Sequence, residues 1–300
     1  MAEPNTDHHS EKPGGEPEAS PKVGIALGAG GAKGIAHIPM LEALDELGIT
    51  PHRVAGSSIG AVIGSLYASG LSARRIKEKV AQLAITKQDT AHTVLSDHKI
   101  GKWMEMIDAD FRHSGLLKSA SVVTGLYEDQ VVPTFEELTI PLTVVATDFW
   151  ERRAVVLESG PLQPAVQASM ALPGVFTPVE LGGRVLIDGG TVNPLPFDLL
   201  KDSCDIVIAV DTNSGSPTET GTVPGYFDTL FGSVQILQQA IVERELRAGP
   251  PDIYVKPDLL RFRTLQFYKA DAIYEQAQPA KEQLKRELAA RLEPKRTREP

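Results

Sequence analysis

One cysteine, Cys204, stands in 300 residues. A single thiol excludes an intrachain disulfide and a cysteine-rich zinc site, and it is compatible with a reducing compartment. Basic charge is scarce as well: 30 Lys and Arg against 39 Asp and Glu leave a net charge of −9. That balance argues against nucleic acid as a partner gripped by a broad basic surface. Long hydrophobic runs are missing. The longest, Val54 to Ala68, is interrupted by glycine and serine and falls short of the roughly 20 apolar residues of a spanning helix, so no transmembrane segment is expected. Residues 1–21 lack the apolar stretch of a secretory signal and are rich in Pro, Glu, Gly and Ser, the composition of a disordered tail. Within it His8 and His9 read as a solvated pair rather than a metal site. Histidine is absent from the second half of the chain: the seven stand at 8, 9, 37, 52, 92, 98 and 113.

What is present describes an ordinary globular core, 42% hydrophobic and 23% charged. The segment KVGIALGAGGAKGIAHIPMLEALDELGI reads as a buried strand at 23–27 and a glycine-rich turn. A helix follows with Ile35, Ile38, Leu41, Leu44 and Leu47 on one side. A short strand at 53–55, a turn and a helix at 59–69 follow, so the chain opens as a parallel α/β sheet. Residues 71–135 read as mostly helical. In DHKIGKWMEMIDADF, Ile100, Trp103, Met104, Ile107 and Phe111 share a face. That helix either packs on the core or, at 98–111, forms a lid whose Trp103 enters lipid headgroups. Strand character returns at 142–150, 153–159, 183–190, 205–213 and 252–256, with helices at 162–170, 227–247 and 268–292. There is neither an internal repeat nor a linker, so residues 22–300 are expected as a single domain.

Gly56-Ser57-Ser58-Ile59-Gly60 lies between a strand and a helix. A nucleophile elbow needs that context: flanking glycines permit a strained turn, and the serine sits at a helix N-terminus that favours developing negative charge. A serine nucleophile needs a base. In α/β hydrolases the histidine follows the serine and the acid late in the chain; here none follows His113, so that triad is impossible. An aspartate in a confined, partly desolvated site can take the proton directly, because burial raises its pKa. Three aspartates end apolar strands: Asp148, Asp188 and Asp211. Asp188 stands in LIDGGTVNPLP, where Gly189 and Gly190 allow a tight turn.

The loop Leu27-Gly-Ala-Gly-Gly-Ala-Lys-Gly34 fails as a P-loop, since Lys33 is followed by Gly34 and Ile35 rather than Ser or Thr. It fails as a dinucleotide fingerprint too, because the second strand ends in glycine and serine instead of an acid. The remaining use is an oxyanion hole built from the backbone N–H groups of Gly30, Gly31 and Ala32, with Lys33 adding positive charge nearby. His37, just past this loop, reads as a packed or capping residue.

The glycine-rich loop, GSSIG and DGG stand in one order. With IALGAGGAKGIAHI, VAGSSIGAVIGSLYASG, VVATD, QASMALPGVFTPVE, LIDGGTVNPLP and IVIAVDTN, the chain resembles the patatin-like phospholipase family over residues 22–213, most of all its small bacterial members. The resemblance implies a three-layer α/β/α sandwich with a mostly parallel central sheet. Residues 226–300 then form a C-terminal helical extension. It also implies a Ser58–Asp188 dyad without histidine, an oxyanion hole at Gly30, Gly31 and Ala32, and calcium-independent hydrolysis of lipid acyl esters with neither metal nor organic cofactor. Gly56 and Gly60 become elbow glycines; Gly189, Gly190 and Asn193 support the loop after Asp188. Three positions depart from the family pattern. Ala29 replaces a glycine and narrows the permitted backbone angles, Lys33 replaces an arginine, and Pro39 stands within the expected helix, where it forfeits a hydrogen bond.

The expected activity is a serine acyl hydrolase of the carboxylic ester class. It would cleave a phospholipid or another fatty-acyl ester, in the cytoplasm or at a membrane surface that it does not span. A carboxylesterase of soluble short-chain esters, an inactive acyl-binding scaffold and a nucleotide-binding α/β protein are the alternatives.

Overall fold

The computed structural model describes residues 20–83, 119–127, 130–213, 223 and 225–293. The expected tail up to residue 19 and the expected helix at 98–111 with Trp103 lie outside them.

Eight strands form one sheet: β1 Val23–Leu27, β2 Arg53–Ser57, β3 Leu142–Asp148, β4 Arg153–Leu157, β5 Val179–Leu181, β6 Arg184–Asp188, β7 Ile206–Val210 and β8 Ile253–Val255. Their order is β5-β6-β3-β2-β1-β7-β8, with β4 also paired to β3. The run β3-β2-β1-β7-β8 is parallel throughout, while β4, β5 and β6 join antiparallel at one end. The described α-helices are α1 His37–Leu47, α2 Ile59–Ala68, α3 Ala73–Leu83, α4 Ser119–Tyr127, α5 Leu162–Ser169, α6 Tyr226–Ala248, α7 Ala270–Gln276 and α8 Gln278–Leu292.

Side chains alternate across a strand, and here the alternation sorts residues into two layers. Ile25, Leu27, Val54, Ile206, Ile208 and Val210 pack into a large core with α1, α2, α7 and α8. Their neighbours Ala26, Ala55, Val207 and Ala209 face the other way, onto Leu195, Phe197 and Leu200 and onto Val242 of α6. Helices therefore cover both faces of a mostly parallel sheet, the three-layer arrangement. The strands are buried on both sides, which is why they read as continuous apolar runs.

The pairing of β3 determines where the chemistry sits. Residues Val144 and Val145 pair with both β2 and β4, and Ala146 to Asp148 pair with both β4 and β6. A strand has two edges, so β2 and β6 share the edge opposite β4. They run toward each other along it: β2 ends with Ser57 beside Val145, and β6 ends with Asp188 beside Ala146. Their C-terminal ends meet head to head in adjacent register.

Several expectations are refined. β2 extends to Ser57, directly up to the elbow, and β3 ends at Asp148. β5 is an additional short strand ahead of β6, joined to it through Gly182 and Gly183, both at positive φ. The expected helix at 268–292 is a 3-10 turn, Phe267–Lys269, and two helices, α7 and α8. Pro279 stands at the start of α8 and has no N–H to continue α7. The chain before α1 is a 3-10 turn, Gly31–Ala36, so Pro39 falls in the first turn of α1. A proline is tolerated in the first turn of a helix. Among the described residues no helix is long and apolar enough to cross a membrane.

Candidate active site

Ser58 has φ 56° and ψ −124° and is, with Arg152, one of two non-glycine residues at positive φ among those described. Such a conformation costs about 1–3 kcal/mol and persists only where its surroundings impose it. Three hydrogen bonds hold it: the Ser58 N–H donates to Ser169 Oγ at 2.9 Å, and the Ser58 carbonyl accepts from Ala61 and Val62 of α2. Gly60 makes the turn sterically feasible. A Cβ there would lie 2.0 Å from the Leu27 carbonyl oxygen, so only a glycine lets α2 begin this close to β1. Gly56 sits within β2 beneath the same start of α2.

A serine at the N-cap of a helix usually spends its hydroxyl on capping. Ser58 makes no capping bond; its Oγ donates instead to Asp188 Oδ2 at 2.5 Å. Asp188 is 1% exposed. Its second oxygen accepts from the Gly190 N–H at 2.7 Å, and its backbone is fixed by Ala171 and Thr147. Burial pushes its carboxyl up to about 6, against the hydrogen bonds from Ser58 and Gly190, which pull it down. Gly189 and Gly190 form the 3-10 turn after β6. Asn193 closes this loop: its N–H donates to Gly189 and its side-chain amide to Asp198 at 2.9 Å.

The two other strand-end aspartates are engaged elsewhere. Asp148 accepts from the backbone of Trp150 and Glu151 in the β3–β4 turn. Asp211 accepts from Tyr254 at 2.7 Å and pairs with Lys256 at 3.1 Å. Of the three, Asp188 is the one bonded to Ser58.

The glycine-rich loop packs against the start of α2, where Gly34 lies against Ile59, and Ala29, Gly30 and Gly31 line an open cleft with Ser58 and Asp188. Gly31 has φ 57° and would place a Cβ 2.4 Å from the Thr264 carbonyl, so the loop requires glycine there. Ala29 has no positive φ, which is why alanine fits where the family pattern has glycine. Ala32 departs from the expectation: its N–H is already committed to the Thr264 carbonyl at 2.7 Å, so the loop donors next to the cleft are those of Gly30 and Gly31. Lys33 is wholly buried behind the loop. Burial pushes its ammonium down to about 8, while Asp211 pulls it back up. His37 is a packed residue, as expected. Its Nε2 lies 2.7 Å from the Gly28 carbonyl, and burial pushes the ring down to about 4, so it is neutral at pH 7.

The far wall of the cleft is absent from the sequence-based expectations. It comes from α6, through Phe231, Val234, Gln235 and Gln238, and from Thr264 before α7, with Leu172 at the rim. Asn213 donates to Gln238 Oε1, and Gln238 Nε2 lies beside Gly190. Gln235 donates to Thr264 Oγ1 at 2.7 Å. The only sequence signal is the spacing of 231, 234, 235 and 238 on one helical face. Chemically, the arrangement offers a hydroxyl sharing its proton with a desolvated carboxylate, backbone donors beside it, and a partly apolar cleft in front.

The patatin-like phospholipase profile matches residues 25–201, which contain the loop, the elbow and the Asp188 turn. An uncharacterized NTE family protein of Mycobacterium tuberculosis is 38% identical over 196 residues, covering 65% of this chain and 50% of its own. The human patatin-like phospholipase domain-containing protein 6 is 29% identical over 281 residues, covering 84% of this chain and 19% of its own. The chain thus spans half the length of the mycobacterial relative and about a fifth of the human one. Among solved structures, VipD from Legionella pneumophila is similar at 15% identity and a TM-score of 0.45, covering 88% of this chain and 67% of that one. With the profile spanning more than half of its residues, the chain belongs to the patatin-like phospholipase family.

Proposed function

We propose that this chain is a serine lipid acyl hydrolase that works through a Ser58–Asp188 dyad. The observation that carries the reading is the 2.5 Å bond from Ser58 Oγ to the buried Asp188 on a positive-φ elbow. In the first half-reaction Ser58 Oγ attacks the ester carbonyl while its proton passes to Asp188 Oδ2. The carbonyl oxygen becomes an oxyanion, held by the N–H groups of Gly30 and Gly31 at the end of the loop. One such donor is worth about 10²–10³ in rate. Collapse of the tetrahedral intermediate breaks the bond to the leaving alcohol, which takes the proton from Asp188, and leaves the acyl group on Ser58. In the second half-reaction Asp188 accepts a proton from water as that water attacks the acyl-enzyme. Collapse of the second tetrahedral intermediate breaks the bond between the acyl carbon and Ser58 Oγ, Asp188 returns the proton to Oγ, and the fatty acid departs.

A carboxylate with pKa near 6 suits this exchange. It is ionised at neutral pH, yet basic enough to share the hydroxyl proton. Leu172, Phe231 and Val234 make the cleft partly apolar, and relatives carry phospholipase names, so the substrate is assigned as a phospholipid, lysophospholipid or other fatty-acyl ester.

Hydrolysis of p-nitrophenyl esters of increasing chain length, with and without mixed micelles, tests this reading with wild type, Ser58→Ala and Asp188→Asn. Wild type should prefer long chains presented in micelles, and both variants should lose about 10³-fold or more. A preference for short, soluble esters would make the protein a carboxylesterase. Equal rates for wild type and Ser58→Ala would reduce GSSIG to a turn and leave the acyl-binding scaffold.

A further inference from the structure

Helix α6 has one face in the cleft, through Phe231, Val234, Gln235 and Gln238. Its other face is exposed and not charged: from Thr229 to Val242 there is no Asp, Glu, Lys or Arg. Ile236 and Leu237 stand on it 69% and 64% exposed. A surface helix of a globular protein normally turns a charged stripe to water, so this stretch lacks the face that solvent exposure calls for.

The bond from Gln235 to Thr264 ties α6 to the segment 259–269, which forms the neighbouring lip of the cleft. That segment alternates. Leu259 and Phe262 are buried, whereas Leu260 and Leu265 are 52% and 48% exposed and Tyr268 is also exposed. Of the nine exposed large hydrophobic side chains among the described residues, five lie on these two segments, which the Gln235–Thr264 bond holds side by side. The lip is also cationic. Residues 259–269 hold Arg261, Arg263 and Lys269 and no acid, a local +3 flanked by Asp258 and Asp271, on a chain whose total is −9.

We infer that the outer face of α6 and the lip at 259–269 dock on the anionic surface of a lipid bilayer. Ile236, Leu237, Leu260 and Leu265 enter the headgroup boundary, and the lip's cations face anionic headgroups. Apolar residues interleaved with basic ones are the signature of a protein that lies in an interface rather than spanning it. Position supports the assignment: both docking segments also contribute residues to the cleft, Phe231, Val234, Gln235 and Gln238 from α6 and Thr264 from the lip, so the proposed surface adjoins the site of Ser58. The inference deepens the proposed lipid hydrolysis and rests on it for its purpose, although the binding itself is measured without turnover.

The test is co-sedimentation of the full chain with large unilamellar vesicles of phosphatidylcholine, with and without phosphatidylglycerol. Wild type should bind the phosphatidylglycerol vesicles and release them as salt is raised. The double variant Leu237→Ser, Leu265→Ser should partition about tenfold more weakly, with p-nitrophenyl butyrate hydrolysis unchanged. Because two substitutions at once risk the fold, Leu265→Trp gives a second reading. The emission of the introduced indole, taken as a difference from wild type, should shift to the blue on vesicles. Wild type that ignores vesicles, a double variant that binds like wild type, or an unshifted difference emission in Leu265→Trp overturns the inference. So does a leucine-dependent dimer that leaves vesicles untouched. Leucine-dependent vesicle binding by a protein that hydrolyses no ester upholds the docking surface and removes only the catalytic reading.

Discussion

Ser57 and Asp188 occupy consecutive register positions on one edge of β3, opposite Val145 and Ala146. Two strands far apart in sequence end against each other there. Sheet pairing thus brings the two chain segments together, and the elbow at Ser58, with φ 56°, turns its hydroxyl onto the carboxylate.

The elbow depends on the close approach of α2 to β1. Gly60→Ala places a methyl 2.0 Å from the Leu27 carbonyl oxygen, and backbone on both sides has no room to yield. Overpacking of this kind costs about 1–3 kcal/mol. The variant should lose at least that much in chemical denaturation, with ester hydrolysis reduced about 100-fold or more as Ser58 leaves its position. Wild-type stability and rate in Gly60→Ala would contradict the described start of α2.

Asp188 is kept ionised at neutral pH at the expense of stability. Its carboxyl is raised from 3.8 to about 6 by burial, so the folded state holds this proton more tightly than the unfolded state. The associated stability is present below about pH 4 and lost as pH rises through about 6. That difference between the two states corresponds to about 3 kcal/mol. Asp188→Asn should therefore unfold at a higher temperature than wild type at pH 7.5, and the difference should shrink toward pH 4. A variant less stable than wild type at pH 7.5 would contradict this account.

The same group sets the acid limb of activity. With the proton acceptor titrating near 6, kcat/KM on a soluble ester should fall tenfold per pH unit below that value and level off above it. A profile that is flat between pH 5 and 7 would exclude Asp188 as the base.

Residues 270–292 matter for stability through α1. Lys281 Nζ lies 2.8 Å from Glu42 and 2.5 Å from Glu46, and Lys285 also reaches Glu46 at 2.6 Å. Lys281 is nearly buried while the glutamates are partly exposed, so its loss falls between the surface and buried limits for ion pairs. Lys281→Ala should cost about 1–3 kcal/mol with little change in turnover by the folded protein. An unchanged Tm would contradict a stabilising role for the Lys281 ion pairs.

What the sequence reveals and what it hides have physical causes. The elbow, the glycine-rich loop and the Asp188 turn are legible because each is a local steric demand written in consecutive residues. Gly60 must clear Leu27, and Gly31 must clear Thr264. The role of Ala32 is not legible, since its N–H is taken by Thr264, which lies far along the chain. The same holds for Gln235 and Gln238: a polar pair on an otherwise apolar helix gives no hint that it faces Ser58. β5 is too short to show a period, and the break at Pro279 is hidden because the apolar pattern continues on both sides.

The central claim is that Ser58 is a nucleophile activated by Asp188, and covalent labelling measures this most directly. The full chain is incubated with an alkyl fluorophosphonate and followed by intact mass and peptide mapping. The account predicts a single adduct on Ser58, absent in Ser58→Ala, formed about 100-fold or more slowly in Asp188→Asn, and slowing below about pH 6 in wild type. An unlabelled wild type, an adduct on another residue, or equal labelling rates in wild type and Asp188→Asn would contradict it.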